Sequence, residues 1–283
     1  MSFLTIKASD IEGWTDSEPR RAQELLPKLI WKLIMASSKS VRDIHFAFDS
    51  AIQYSGYDGY LETDDLGVFF PDGKSVWEFG TNKNIKSKFE SDYKKRTDNP
   101  NGIDISNTTI CLVTSRSWHH KEGISEFTNR IKSDGKWKNV RVLDANSLEM
   151  WLNECPSVLI WFSGIIGKDI TDLLDLESYW HSIVDNTSPR LNTDFFRIGR
   201  EDAISSKIID LIEKGNKHIL LCSDSKIEGI LTLASELLDS QETSHKQFLS
   251  RIIVALSSSA LINASQNYEN AIVIPAFNNE KIT

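Results

Sequence analysis

The chain has 283 residues, 40% of them apolar, and sets 40 acidic side chains against 32 basic ones for a net charge of −8. That length can hold two cores, and the charge excludes a cationic coat, so contact with a polyanion has to come from a local basic strip. Cys111, Cys155 and Cys222 form neither a disulfide framework nor a zinc motif, MSFLTIKASD lacks a basic-then-apolar leader, and the longest apolar run, Val158 to Ile166, is too short to span a bilayer; a soluble cytoplasmic protein with buried thiols is expected.

Ser17 to Met35 repeats apolar residues at Leu25, Leu26, Leu29, Ile30, Leu33 and Ile34, which predicts an amphipathic helix capped by Ser17 and kinked or restarted at Pro27. Glu24 is expected to be a surface charge. Val41 to Ile52 has no clear period; Phe46 and Phe48 suggest a short buried segment in which His45 is structural, since a lone imidazole is a weak metal signal. Strands are predicted over Tyr57 to Glu62, Val68 to Phe70 and Ser75 to Phe79, separated by turns at Asp64-Asp65 and Pro71-Asp72-Gly73. A basic helix follows to Lys95 and ends in the DNPN loop, Asp98 to Asn101.

Thr108 to Thr114, TTICLVT, has the length and continuity of a strand buried on both faces. A helix over Ser125 to Lys132, a strand over Val140 to Leu143 and a helix over Ser147 to Leu152 complete an α/β unit with right-handed crossovers and a mixed sheet flanked by helices. Trp77, Trp118, Trp137 and Trp151 are expected in packing roles.

The chemistry concentrates in residues 56–97. Phosphodiester hydrolysis at neutral pH calls for a divalent cation, and a hard ion such as Mg²⁺ or Mn²⁺ prefers carboxylate oxygens. Asp58 and Glu78 lie on hairpin-joined strands and can converge as metal ligands. A lysine two residues after the glutamate would complete an ExK pattern, but Gly80 stands there. The catalytic candidates are therefore Lys83, Lys86 and Lys88, with Lys88 preferred because it and Asp92 are one helical turn apart. Lys83, Lys86, Lys94, Lys95 and Arg96 are expected to meet nucleic-acid phosphates. The same carboxylates also suit ordinary turns, and the KKR run also suits a helix C-terminus.

The series GYDG, PDGKSVWEFGTNKNIKSKFESDYKKRT, LVTSRSWHHKEG and KWKNVRVLDANSLEMWL resembles the amino-terminal PD-(D/E)XK nuclease-like domain of bacterial antiphage STAND-type NTPase proteins, and its later part is similar to Mrr-type restriction endonucleases. The resemblance covers Trp14 to Phe162. It implies a restriction-endonuclease-like fold and a Mg²⁺- or Mn²⁺-dependent DNA endonuclease serving antiviral defence. It also implies Asp58 and Glu78 as metal-binding carboxylates, Lys88 as the helix lysine, DNA and a phage-derived trigger or partner defence protein as contacts, self-association, and no membrane. The alternative is an inactive DNA-binding or protein-interaction domain of a STAND-like sensor.

The domains expected are a nuclease-like domain over 1–167, a helical linker over 168–192 that includes NTSPRLN, and a partial, degenerate STAND/AAA-like α/β module over 193–283. In that module a helix is predicted over Ala203 to Glu213, a strand over His218 to Cys222, a helix over Lys226 to Leu238, and strands over Ile252 to Leu256 and Ala271 to Ile274. The chain ends soon after the last of these strands, as a domain cut short would. FFRIGRED followed by HILLC is similar to the start of an NTPase module, yet CSDSKIEGI keeps Ser223, Ser225 and Lys226 without the glycines of a phosphate loop, so ATP hydrolysis is not expected.

Overall fold

The run Thr108–Thr114 forms an interior strand of the first sheet, with all seven residues buried. The computed structural model describes residues 5–48, 56–168, 172–200, 207, 223, 225–268 and 271–277. They group into two compact units, Met1–Glu154 and Cys155–Thr283; the break expected after residue 167 falls within the second.

The first unit begins with two helices, α1 (Ala8–Ser17) and α2 (Pro19–Ser37). Ser17 therefore closes α1 instead of capping the next helix, and Pro19 starts α2 at its first turn, where a missing N–H costs nothing. α2 continues through Pro27, which leaves the Gln23 carbonyl without its usual i+4 donor. The strands are β1 (Val41–Phe46), β2 (Gly59–Thr63), β3 (Gly73–Gly80), β4 (Thr108–Thr114) and β5 (Asn139–Leu143), in that spatial order. β1, β2 and β3 pair antiparallel, whereas β3, β4 and β5 pair parallel. The parallel pairs are bridged by α3 (Ile85–Asp98) and α4 (Ile124–Lys132), and α5 (Ala145–Glu154) follows β5. This is an α/β unit with a mixed five-stranded sheet flanked by helices.

Strand periodicity assigns the two faces. Tyr60, Val76, Ile110, Leu112, Val140 and Val142 form one core with Ile85, Phe89 and Tyr93 of α3 and Phe127 and Ile131 of α4. Trp77, Cys111, Val113 and Leu143 point the other way and are buried as well, on the side taken by α1, α2 and α5, which pack on one another. By the same two-residue period Glu78 and Gly80 share the α3 face with Val76, and Asp58 shares it with Tyr60.

Two expectations are corrected here. Val68 to Phe70 is no strand: Phe69 stacks on Trp151 at 5.1 Å and Phe70 is buried beside it, while Val68 is 72% exposed. Val41–Phe46 is not a buried segment but an edge strand, buried only at Phe46, on which His45 is exposed and sits 2.9 Å from Asp43. Trp77, Trp137 and Trp151 are core residues, and Trp118 packs on Phe89 and Phe127.

The second unit comprises α6 (Pro156–Ile165), β6 (Leu173–Asp175), α7 (Leu176–Val184), α8 (Thr193–Arg197), α9 (Lys226–Asp239), α10 (Thr243–Leu249), β7 (Ile252–Ala255), α11 (Ser258–Asn267) and β8 (Ile272–Pro275). β7 and β8 run parallel across the α11 crossover, and β6 adds antiparallel to β7. Leu176, Trp180, Phe196, Leu231, Leu237 and Val254 share its main core. The predicted helix over 203–213 and strand over 218–222 lie outside the described residues. Among the described residues no helix is long and apolar enough to cross a membrane.

Candidate active site

The antiparallel register of β2 and β3 pairs Gly59 with Trp77, so the next position outward sets Asp58 opposite Glu78 on the face covered by α3. The Asp58 N–H donates to the Trp77 carbonyl at 3.1 Å, and its carboxylate accepts from the Phe79 N–H at 3.0 Å. Burial raises the Asp58 pKa above the usual carboxylate range, against the pull of the Phe79 N–H and of the Lys88 and Arg96 charges. Glu78 is only 4% exposed. Burial, with the Asp58 charge adding to it, pushes its carboxyl up to about 7, and the bond from Arg96 opposes the rise.

Arg96, expected among the phosphate contacts, is instead 5% exposed. Its Nε donates to Glu78 Oε1 and its Nη2 to the Gly56 carbonyl, and its guanidinium lies 4.5 Å from the centre of the Tyr57 ring. One side chain thus links the end of α3 to β3 and to the segment leading into Asp58. Gly56 itself has φ +79, and a Cβ there would meet Asn101 Nδ2 at 2.9 Å, so this turn suits glycine alone. The sequence signal for a buried arginine here is its spacing from Ile85, Phe89 and Tyr93, which puts it on the inward stripe of α3.

Gly80 stands where an ExK lysine would project. A Cβ on it would come 2.5 Å from Ile85 Cδ1 and 3.5 Å from Lys88 Cγ. The stem of Lys88 therefore runs beside the space that a residue-80 side chain would enter, and its Nζ lies 2.5 Å from Asp92 Oδ2. Asp58 and Lys88 line one cleft of ≈290 Å³, together with Gln23 and Pro27 from α2 and Phe79 and Gly80 from β3. Gly80→Ala should cost about 1–3 kcal/mol through the clash with buried Ile85. Adding Ile85→Val, which removes Cδ1, should make Gly80→Ala less damaging; thermal melts showing purely additive losses would count against this packing.

Lys86 pairs with Glu122 at 2.7 Å. Lys83 is exposed near the charge of Asp16, and Lys94 and Lys95 are exposed toward the far end of α3. The basic residues expected as one strip are thus spread over α3 and the loop before it. Glu24 faces solvent in a pair with Arg20.

Among the described residues no three His, Cys, Asp or Glu side chains stand together as cation ligands. Asp58 and Glu78 nevertheless fit a hard divalent ion, because Mg²⁺ keeps several waters and takes one or two carboxylates. In the second unit Lys226 donates to the Phe277 carbonyl at 2.7 Å, and Ser223 to the Ser225 carbonyl. No family model, curated protein or solved structure matches this chain.

Proposed function

We propose that the first unit is a PD-(D/E)XK-type, metal-dependent DNA endonuclease domain, the effector of a bacterial antiphage protein whose second unit is part of a STAND-like module. The observation that carries it is the Lys88 stem beside Gly80, with Asp58 and Glu78 opposite each other on the same face. A helix-borne amine thereby stands in for the absent strand lysine. The element order, with an antiparallel hairpin feeding two parallel crossovers, agrees with a restriction-endonuclease-like core. The defence role rests on the resemblance of GYDG and the WEFGTNKNIKSKFESDYKKRT stretch.

In this site Asp58 and Glu78 would hold Mg²⁺ or Mn²⁺, which when bound polarises the phosphate and activates water. Lys88 places a positive charge at the cleft, where it can stabilise charge developing on the scissile phosphate. Arg96 holds Glu78 and keeps part of its charge compensated. That pairing also favours a second reading, a domain that binds DNA without cutting, since one oxygen of Glu78 is already engaged.

Plasmid incubated with the full chain and Mg²⁺ or Mn²⁺ should be cleaved, and Asp58→Asn, Glu78→Gln and Lys88→Met should each abolish or sharply slow cleavage. Cutting that is equal in wild type and variants overturns the nuclease assignment. Salt-sensitive DNA binding that survives in all four proteins, without cleavage, selects the binding domain.

A further inference from the structure

The inward stripe of α3 carries Lys88, Asp92 and Arg96 at successive turns, alternating with the apolar anchors Ile85, Phe89 and Tyr93. Lys88 and Arg96 have evident partners in the site. Asp92 is a third acid there, 8% exposed, and its charge raises the pKa of both Asp58 and Glu78. A buried carboxylate that opposes its neighbours' ionisation is costly to keep. An i,i+4 pair with the lysine N-terminal to the acid is also the less favourable order along a helix, so helix stability alone gives Asp92 little purpose.

We propose that Asp92 is the positioning residue for the Lys88 amine. This rests on the nuclease reading of the site. A lysine stem is flexible and its ammonium is strongly hydrated, so left to itself it samples solvent. Lys88 is 32% exposed at its side chain, Asp92 only 11%, and the two meet at 2.5 Å. The buried acid is thus the anchor and the more exposed amine the group it holds. Ile85 and Phe89 hold the α3 turn beside Gly80, and Asp92 adds the polar stop that keeps Nζ at the cleft containing Asp58.

Two readouts test this on the full chain, with melting curves confirming that each variant folds. Acetylation by an N-hydroxysuccinimide ester, followed by mass spectrometry, should be several-fold faster at Lys88 in Asp92→Asn than in wild type, with Lys94 and Lys95 unchanged. Asp92→Glu, which keeps the charge, should leave Lys88 protected. In single-turnover cleavage, Asp92→Asn should slow the chemical step by about 10- to 100-fold, the range that a misplaced group costs, with DNA affinity near wild type. The Lys88→Met/Asp92→Asn double variant should be no slower than Lys88→Met. Equal Lys88 labelling in wild type and Asp92→Asn overturns the positioning role, as does a double variant slower than Lys88→Met. If the wild type cuts no DNA, the nuclease reading fails by that result alone, while the labelling still decides whether Asp92 holds Lys88.

Discussion

Replacing Arg96 with methionine is expected to cost about 3–5 kcal/mol at pH 8, the usual penalty for removing one partner of a buried ion pair. Both side chains of the Arg96–Glu78 pair are nearly inaccessible, at 6% and 5%. Methionine fills much of the volume but leaves Glu78 without its donor, the Gly56 carbonyl without its bond, and the Tyr57 ring without its cation. Lysine should rescue only in part, because a single ammonium cannot reproduce the fork that reaches Glu78 and Gly56 together. Adding Glu78→Gln to Arg96→Met should recover part of the loss, since the stranded charge is gone. Urea denaturation at pH 8 measures all four proteins. A loss for Arg96→Met within about 0.5 kcal/mol, the range of ordinary surface changes, would mean that the pair does not form.

The second large effect is a fall in the metal-free protein's stability between pH 5 and pH 8. The folded state raises the Glu78 carboxyl from 4.5 to about 7, so folded protein retains a proton that the unfolded chain has released. That contribution is complete below pH 4.5 and is lost as the pH rises through 7. Over that window it amounts to about 3 kcal/mol, at 1.36 kcal/mol for each unit. Asp58, raised in the same sense, adds to the trend. Urea midpoints in EDTA should therefore drop with pH, and Glu78→Gln should flatten the curve. Mg²⁺ should restore more stability at pH 8 than at pH 5, because binding favours the ionised carboxylates. A wild-type profile no steeper than that of Glu78→Gln would count against a shared, undercompensated pair.

What could be read from the sequence follows from how each residue is buried. Thr108–Thr114 sets Ile110 to Val113 between threonines, is buried throughout, and was legible as an interior strand. α3 was legible as a helix and Lys88 as its inward lysine, because Asp92 repeats one turn later. Arg96 was not, since KKR looks like a solvated run; only its phase relative to Phe89 gives it away, and charge-based reading discards phase. β1 was obscure for a physical reason: a register shift between Val41 and Asp43 breaks the two-residue period. Phe69 and Phe70 imitate a strand but are buried by packing on Trp151. α1 offers only Ile11 and Trp14 as large buried anchors, and β6 is too short at three residues to carry a pattern.

Gly80 has a mechanical consequence. With no side chain on the strand, the positive charge of the site rides on α3, whereas Asp58 and Glu78 ride on the hairpin of β2 and β3. Tilting the first turn of α3 away from Ile85's seat would withdraw the amine and leave both carboxylates where they are. On the nuclease reading, the hairpin would then carry the carboxylates that hold the ion and α3 the charge that acts on the phosphate, so a shift of α3 would change cleavage without changing ion capture.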